Sequence, residues 1–248
     1  MKVLILTSSI DVCYKDENEV RIPQNFGNTN GILDTLRKYI DKFDNFLYIA
    51  SSDNYEITDV RSAVWFKSFD LTMPFKNYRV LDSRTKNQTK ELIENADFIL
   101  LCGGHVPTQN KLFEELNIRE YIRNTNAVVC GASAGSMNSA SNVYCPPELE
   151  GEALDPDFQK FYKGLGLTEI NVFPHFDEIK YLEVDGKQNL NDFIIPDSYD
   201  LPILCLNEGS YIVVKDDSST VFGESYIASN GKLTQICKDN ESVILSIK

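Results

Sequence analysis

The chain has 248 residues, 42% of them hydrophobic, with a net charge of −13. That is enough apolar material for a full α/β core, and so acidic a chain argues against a nucleic-acid groove or a basic membrane-binding face. The six cysteines (13, 102, 130, 145, 205 and 237) form no Cys-x-x-Cys pair, the opening apolar run stops at Leu6, and no stretch reaches transmembrane length. The expectation is a cytoplasmic protein with reduced thiols and no signal peptide.

In chain order, Lys2 to Thr7 reads as a buried strand, followed by a polar segment to about Asn30. Gly27 to Gly31 lacks the lysine and spacing of a phosphate loop and reads as a turn. Ile32, Leu33, Leu36, Tyr39 and Ile40 recur at helical spacing. Phe46 to Ala50 reads as a strand, Val60 to Phe69 as a helix, Tyr78 to Leu81 as a strand and Lys86 to Ala96 as a helix. Asp97 to Cys102 is a further strand and Thr108 to Arg123 a further helix. Strands alternating with helices predict a mainly parallel sheet covered on both faces, a three-layer αβα arrangement. Ligands in such sheets sit at the C-terminal ends of strands.

Next comes Val128-Val129-Cys130-Gly131-Ala132-Ser133-Ala134-Gly135-Ser136-Met137. An apolar strand from Ala127 to Cys130 meets Gly-x-Ser-x-Gly, and a helix-compatible run continues from Ala134 to Ala140. Strand, sharp turn and helix together present a serine on a strained tip, with helix-opening N–H groups able to hold an oxyanion. Gly131 and Gly135 flank the tip because side chains there would collide. A plain tight turn is the alternative reading of the motif.

Beyond the turn, Cys145 to Gly166 is rich in proline and carboxylates and reads as a loop with a short helix. Glu169 to Phe173 reads as a strand ending at Pro174-His175, Asp177 to Phe193 as broken helix, and Pro202 to Leu206 as a strand. Tyr211 to Val214, Val221 to Gly223, Leu233 to Cys237 and Ser242 to Ile247 read as short antiparallel additions at a sheet edge. No linker interrupts the chain, so a single domain over 1–248 is expected.

A serine nucleophile needs a base, and only His105 and His175 are present. Each follows a strand end; each could equally be a hydrogen-bonded loop or core histidine. Glu208, between two apolar strands, is the candidate orienting acid, with a hairpin-turn glutamate as the alternative. The order Ser133, His175, Glu208 differs from that of α/β-hydrolases, whose histidine comes last.

Taken together, Leu101-Cys102-Gly103-Gly104, Gly131-Ala132-Ser133-Ala134-Gly135, Gly164-Leu165-Gly166-Leu167 leading to Phe173-Pro174-His175-Phe176, and Leu206-Asn207-Glu208-Gly209 resemble the peptidase E family. These are cytoplasmic serine peptidases that include aspartyl dipeptidase and, more distantly, cyanophycinase. The resemblance implies a sheet like that of class I glutamine amidotransferases. It also implies a triad of Ser133, His175 and Glu208, oxyanion N–H groups from Gly104 and Ala134, and no metal or cofactor. Aspartyl dipeptidases carry asparagine where this chain has His105, a departure from the family, and His105 is expected to line the substrate pocket or shape the oxyanion loop.

A pocket for an acidic side chain needs a cation, and the segment after His175 offers only Lys180 and Lys187, so aspartate preference is not expected. The expected activity is hydrolysis of small unblocked peptides. In that reading, Cys145 to Gly166 walls the crevice and its carboxylates meet the free α-amino group. An esterase or amidase on the same triad, or a silent binding protein, are the rival readings. A glutamine amidotransferase is disfavoured because Ser133 stands where that chemistry uses a thiolate. The sequence leaves oligomeric state open, a homodimer included.

Overall fold

A computed structural model describes residues 3–245; Lys2 and residues 246–247, ends of two expected strands, lie outside them. The chain forms a large mixed sheet from β1 (Val3–Thr7), β2 (Asn45–Ile49), β3 (Asn77–Leu81), β4 (Phe98–Leu101) and β5 (Val128–Ala132), with three later strands added. A second, four-stranded sheet contains β6 (Asn171–Phe173) and β7 (Ile203–Leu206), followed by β8 (Tyr211–Lys215) and β9 (Ser218–Phe222), which return to the large sheet. The second sheet is completed by β10 (Ser225–Ser229) and β11 (Lys232–Cys237), and β12 (Ser242–Leu245) closes the large one. The large sheet runs β12-β9-β8-β1-β5-β4-β2-β3. From β1 to β3 every pairing is parallel. The β8, β9 and β12 additions are antiparallel, as the turn signals predict.

The apolar runs predict strands buried on both faces, and alternation along β1 shows why they must be. Leu4 and Leu6 enter a core with Ile93, Leu112, Phe113, Ile118 and Ile122. Val3 and Ile5 enter the opposite core with Ile32, Leu36, Val64 and Phe69. The first face is covered by α3 (Thr89–Glu94), α4 (Val106–Glu115) and α5 (Ile118–Ile122). The second is covered by α1 (Ile32–Tyr39) and α2 (Tyr55–Thr72). Helices on both faces make the three layers. α2 is longer than its apolar spacing predicts because Asn54 caps it, accepting a hydrogen bond from the Ile57 N–H at 3.1 Å. The helix expected over Thr108 to Arg123 is two helices, broken where Asn117 takes a left-handed conformation (φ 54°).

Other differences are local. The polar segment before Asn30 contains a ribbon, Cys13–Lys15 against Arg21–Pro23, too short and polar for periodicity to reveal. Cys145 to Gly166 holds no helix; Phe161–Lys163 pairs with Asn142–Tyr144 instead. Strand β10 escapes the sequence reading because Ser225-Tyr-Ile-Ala-Ser229 is half polar. It pairs with β7, so the strand ending at His175 and the strand preceding Glu208 share a separate small sheet, side by side and parallel. No helix among the described residues is long and apolar enough to cross a membrane.

Candidate active site

β5 ends at Ala132, and α6 (Ala134–Met137) begins two residues later. Ser133 alone makes the turn, at φ 53° and ψ −119°. This conformation is costly for a residue with a Cβ and persists only where the surroundings hold it. Here the Ser133 N–H donates to the Thr7 carbonyl at 3.0 Å, and its own carbonyl accepts from Ser136 at 2.8 Å and Met137 at 3.2 Å. The glycines are explained by what a Cβ would meet. At Gly131 it would lie 2.7 Å from the Ser136 nitrogen; at Gly135, 2.1 Å from the Leu101 carbonyl oxygen. Buried Ser136 ties the turn to β1. Its hydroxyl accepts from the Thr7 N–H at 3.0 Å and lies 2.7 Å and 2.8 Å from the Gly131 and Thr7 carbonyls. Ser136→Ala strands those buried groups and should cost about 1–3 kcal/mol in urea unfolding; an unchanged midpoint would show that the hydroxyl does not hold the elbow.

His175 follows β6 and opens α7 (Phe176–Ile179) with a left-handed backbone, φ 56° and ψ 28°. Its N–H donates to the Ser8 hydroxyl at 3.1 Å, which donates onward to the Leu206 carbonyl at 2.8 Å. Ser8, at the end of β1, thus straps the two sheets together at the site. The His175 Nδ1 bonds to Glu208 Oε1, and Glu208 Oε2 accepts from the Ser9 hydroxyl. Asp177 holds the Glu208 backbone, accepting its N–H at 2.9 Å. Burial on its own would lower the His175 pKa, but the Glu208 carboxylate, helped by Glu178 and Asp177, lifts it above the ordinary histidine value. Burial likewise pushes Glu208 up, and the hydrogen bonds from His175 and Ser9 outweigh it, leaving the carboxyl below its usual range. With Nδ1 engaged, Nε2 is the nitrogen left to act as base.

Ser133, His175 and Glu208 line one cleft of about 520 Å³, with Gly103, Gly104 and Ala132 at its floor. Among the described residues, neither the Gly104 nor the Ala134 N–H donates to another protein group. Cys130, three residues before the serine, is fully buried, which pushes its thiol up to about 12 and keeps it protonated. His175, Glu178 and Glu208 bring ligand atoms within 4.8 Å of one another, close enough for a cation. Glu208 nonetheless uses both oxygens on His175 and Ser9, so hydrogen bonding accounts for the cluster. A larger hollow, about 680 Å³ beside α4 and α5, contains no nucleophile, and its Arg119 and Arg123 donate to the carbonyls of Gly164 and Leu165.

The walls differ from the sequence reading in three respects. His105 is not among the residues lining the cleft: its Nδ1 meets the Thr108 hydroxyl at 2.8 Å and its Nε2 faces Glu152 at 3.3 Å. From Cys145 to Gly166, Glu148 comes within electrostatic reach of His175 without being among the residues that line this cleft. Asp185 fastens the segment's middle, accepting the Gly151 and Ala153 N–H groups, and the lining is Ser8 to Cys13 with Trp65 of α2. Finally, Lys180 stacks on Phe176 and Tyr181, and Lys187 donates to the Ala153 carbonyl. The cations in the cleft are Lys15, Arg21 and Arg61. The sequence reading missed these, and Ser8 and Ser9. The serines carried a usable signal, lying directly at the C-terminal end of a predicted strand.

The family model described as peptidase family S51 matches residues 66–222. A search of curated proteins returns no match. Among solved structures, a peptidase from an acI-B1 Actinobacterium is similar at 16% identity and a TM-score of 0.67, covering 99% of this chain and 97% of that one. A putative peptidase E protein from Listeria monocytogenes EGD-e is similar at 12% identity and a TM-score of 0.57, covering 96% of this chain and 100% of that one. Identities this low speak for the fold alone.

Proposed function

The chain belongs to peptidase family S51, and on that footing we propose that it is a serine-type exopeptidase cleaving small unblocked peptides through Ser133, His175 and Glu208. The observation that carries the reading is the chain of contacts Ser9–Glu208–His175 converging with the strained Ser133 on one cleft. In the reaction, His175 Nε2 takes the Ser133 proton as Oγ attacks the peptide carbonyl. The tetrahedral oxygen rests on the Gly104 and Ala134 N–H groups. His175 then delivers the proton to the leaving amine, and water, activated by the same ring, releases the acyl-enzyme. We read the sheet as akin to that of class I glutamine amidotransferases, with serine at the nucleophile position.

Charge supports a small zwitterionic substrate. Lys15 and Arg21 line the cleft and can meet a substrate carboxylate. The Glu148 carboxyl accepts the Val106 N–H and lies within electrostatic reach of His175. Desolvation and neighbouring Glu152 push that carboxyl up to about 7. An ammonium group bound beside it would be favoured. These cations also remove the ground on which an acidic side chain was expected to be disfavoured. Matched free and N-acetylated dipeptides test the reading. Acetylation should lower kcat/KM by about 10–100-fold, the worth of one lost charge contact of roughly 1.4–2.8 kcal/mol. Equal rates, or efficient cutting within casein, would refute the exopeptidase assignment. Efficient turnover of simple esters with none of peptides would favour the esterase alternative.

A further inference from the structure

Arg61, on α2, reaches the floor of the cleft from outside the triad. Its Nη1 donates to the Gly103 carbonyl at 3.1 Å. That carbonyl and the Gly104 N–H belong to one peptide unit. The unit is planar and trans, so the two groups point in opposite directions and fixing the oxygen fixes the aim of the N–H. A peptide between two glycines has no side chain to resist rotation, and glycine loses the most freedom on being ordered. It needs an outside anchor to stay in one orientation. Larger residues are not an option here. A Cβ on Gly103 would come 3.1 Å from the Ser133 Cβ, and one on Gly104 would come 2.6 Å from the Ser51 side chain. The loop must be glycine to approach the serine, and must be held by something else.

We infer that Arg61 is a positioning residue that pins and polarises the Gly103–Gly104 peptide, so that the Gly104 N–H is set for the oxyanion formed at Ser133. Arg61 is half-buried, and among the described residues no carboxylate pairs with it. No direct ion pair therefore competes with the Gly103 carbonyl for the guanidinium. A cation on the C=O side draws electron density through the amide and strengthens the N–H as a donor. The contact is made before substrate arrives, which is what electrostatic preorganisation requires. The inference rests on the serine-peptidase reading above.

The test uses Arg61→Met and Arg61→Lys in the intact protein. Two measurements are made: dipeptide kinetics, and inhibition by an α-aminoboronic acid, the boron analogue of alanine. The boron accepts the Ser133 oxygen and becomes a tetrahedral anion whose B–O group occupies the oxyanion position. Arg61→Met should lower kcat by about 10–100-fold, somewhat less than deleting an oxyanion donor outright. KM should stay nearly unchanged, and boronate affinity should fall in the same proportion as kcat. Arg61→Lys, which can donate to the same carbonyl, should recover part of both. It also reports on the contact if the methionine variant fails to fold.

A rise in KM with kcat intact would overturn the inference and assign Arg61 to a substrate carboxylate. So would unchanged kinetics in both variants. Failure of the underlying serine reading looks different: the boronate would not inhibit the wild-type enzyme, and Ser133→Ala would remain active, which sinks both proposals together.

Discussion

Ser133→Ala should lower kcat by on the order of 10⁴–10⁶-fold while leaving the fold intact, the scale of loss when a triad acting as a unit is broken. The fold should survive because the elbow does not depend on the hydroxyl. Its N–H bond to Thr7 and its carbonyl bonds to Ser136 and Met137 are made by the main chain, and Gly131 and Gly135 provide the room. Alanine keeps the Cβ, so the backbone strain at φ 53° is the same in both proteins. Circular dichroism and the melting temperature should therefore match the wild type while turnover collapses. His175→Ala should fall to a similar level. His105→Ala should lose far less, because its ring is engaged with Thr108 and Glu152 rather than lining the cleft. A well-folded Ser133→Ala that kept most of its activity would end the nucleophile assignment, and a more severe loss in His105→Ala than in His175→Ala would exchange the two histidines.

Much of the fold was legible because its central strands are buried on both faces and so carry unbroken apolar runs. β1, β2, β4 and β5 could be read directly from Val3-Leu-Ile-Leu, Phe46-Leu-Tyr-Ile, Phe98-Ile-Leu-Leu and Val128-Val-Cys. What was not legible lies where local pattern and tertiary placement part. Leu204 and Tyr211 sit in equally apolar strands, yet one belongs to the small sheet and the other to the large one. Only the pairing of β7 with β10 decides this, and β10 is a half-polar stretch. The site divides in the same way. Ser133 has a local signature, a glycine on either side of a strand end. Arg61 has none: it lies in the middle of an 18-residue helix and reaches Gly103 only because α2 packs beside β4. The acidic character of residues 148–157 was plain in the sequence, but which face they cover was not. Asp185 decides that, from a turn at positive φ more than thirty residues away.

Glu208→Gln should reduce kcat at neutral pH by about 10⁴-fold, as expected when an amide selects the wrong imidazole tautomer. It should also move the acid limb of the pH profile in a defined direction. His175 must be neutral to accept the serine proton, so wild-type activity is lost as pH falls through its pKa. That pKa lies above the ordinary histidine value of about 6.5, because Glu208 offsets the effect of burial. With the carboxylate charge removed, burial is opposed only by the more distant Asp177 and Glu178. The limb should therefore shift to lower pH even as the plateau drops. Stability carries the opposite signature. A histidine raised in the folded state contributes stability that is full below its unfolded pKa and is lost as pH rises through its folded pKa. Glu208, lowered in the folded state, contributes above its unfolded pKa of about 4.5, and that contribution is lost as pH falls through its folded value. The charged pair is thus strongest in the mildly acidic interval between the two unfolded pKa values, where His175 is protonated and activity is already low. Melting temperatures of wild type and Glu208→Gln should differ most in that interval, and the difference should shrink above the folded pKa of His175, where the Ser9 hydrogen bond to Glu208 remains. A difference that instead grew with rising pH, or an acid limb that stayed in place in Glu208→Gln, would mean that Glu208 does not set the charge of His175.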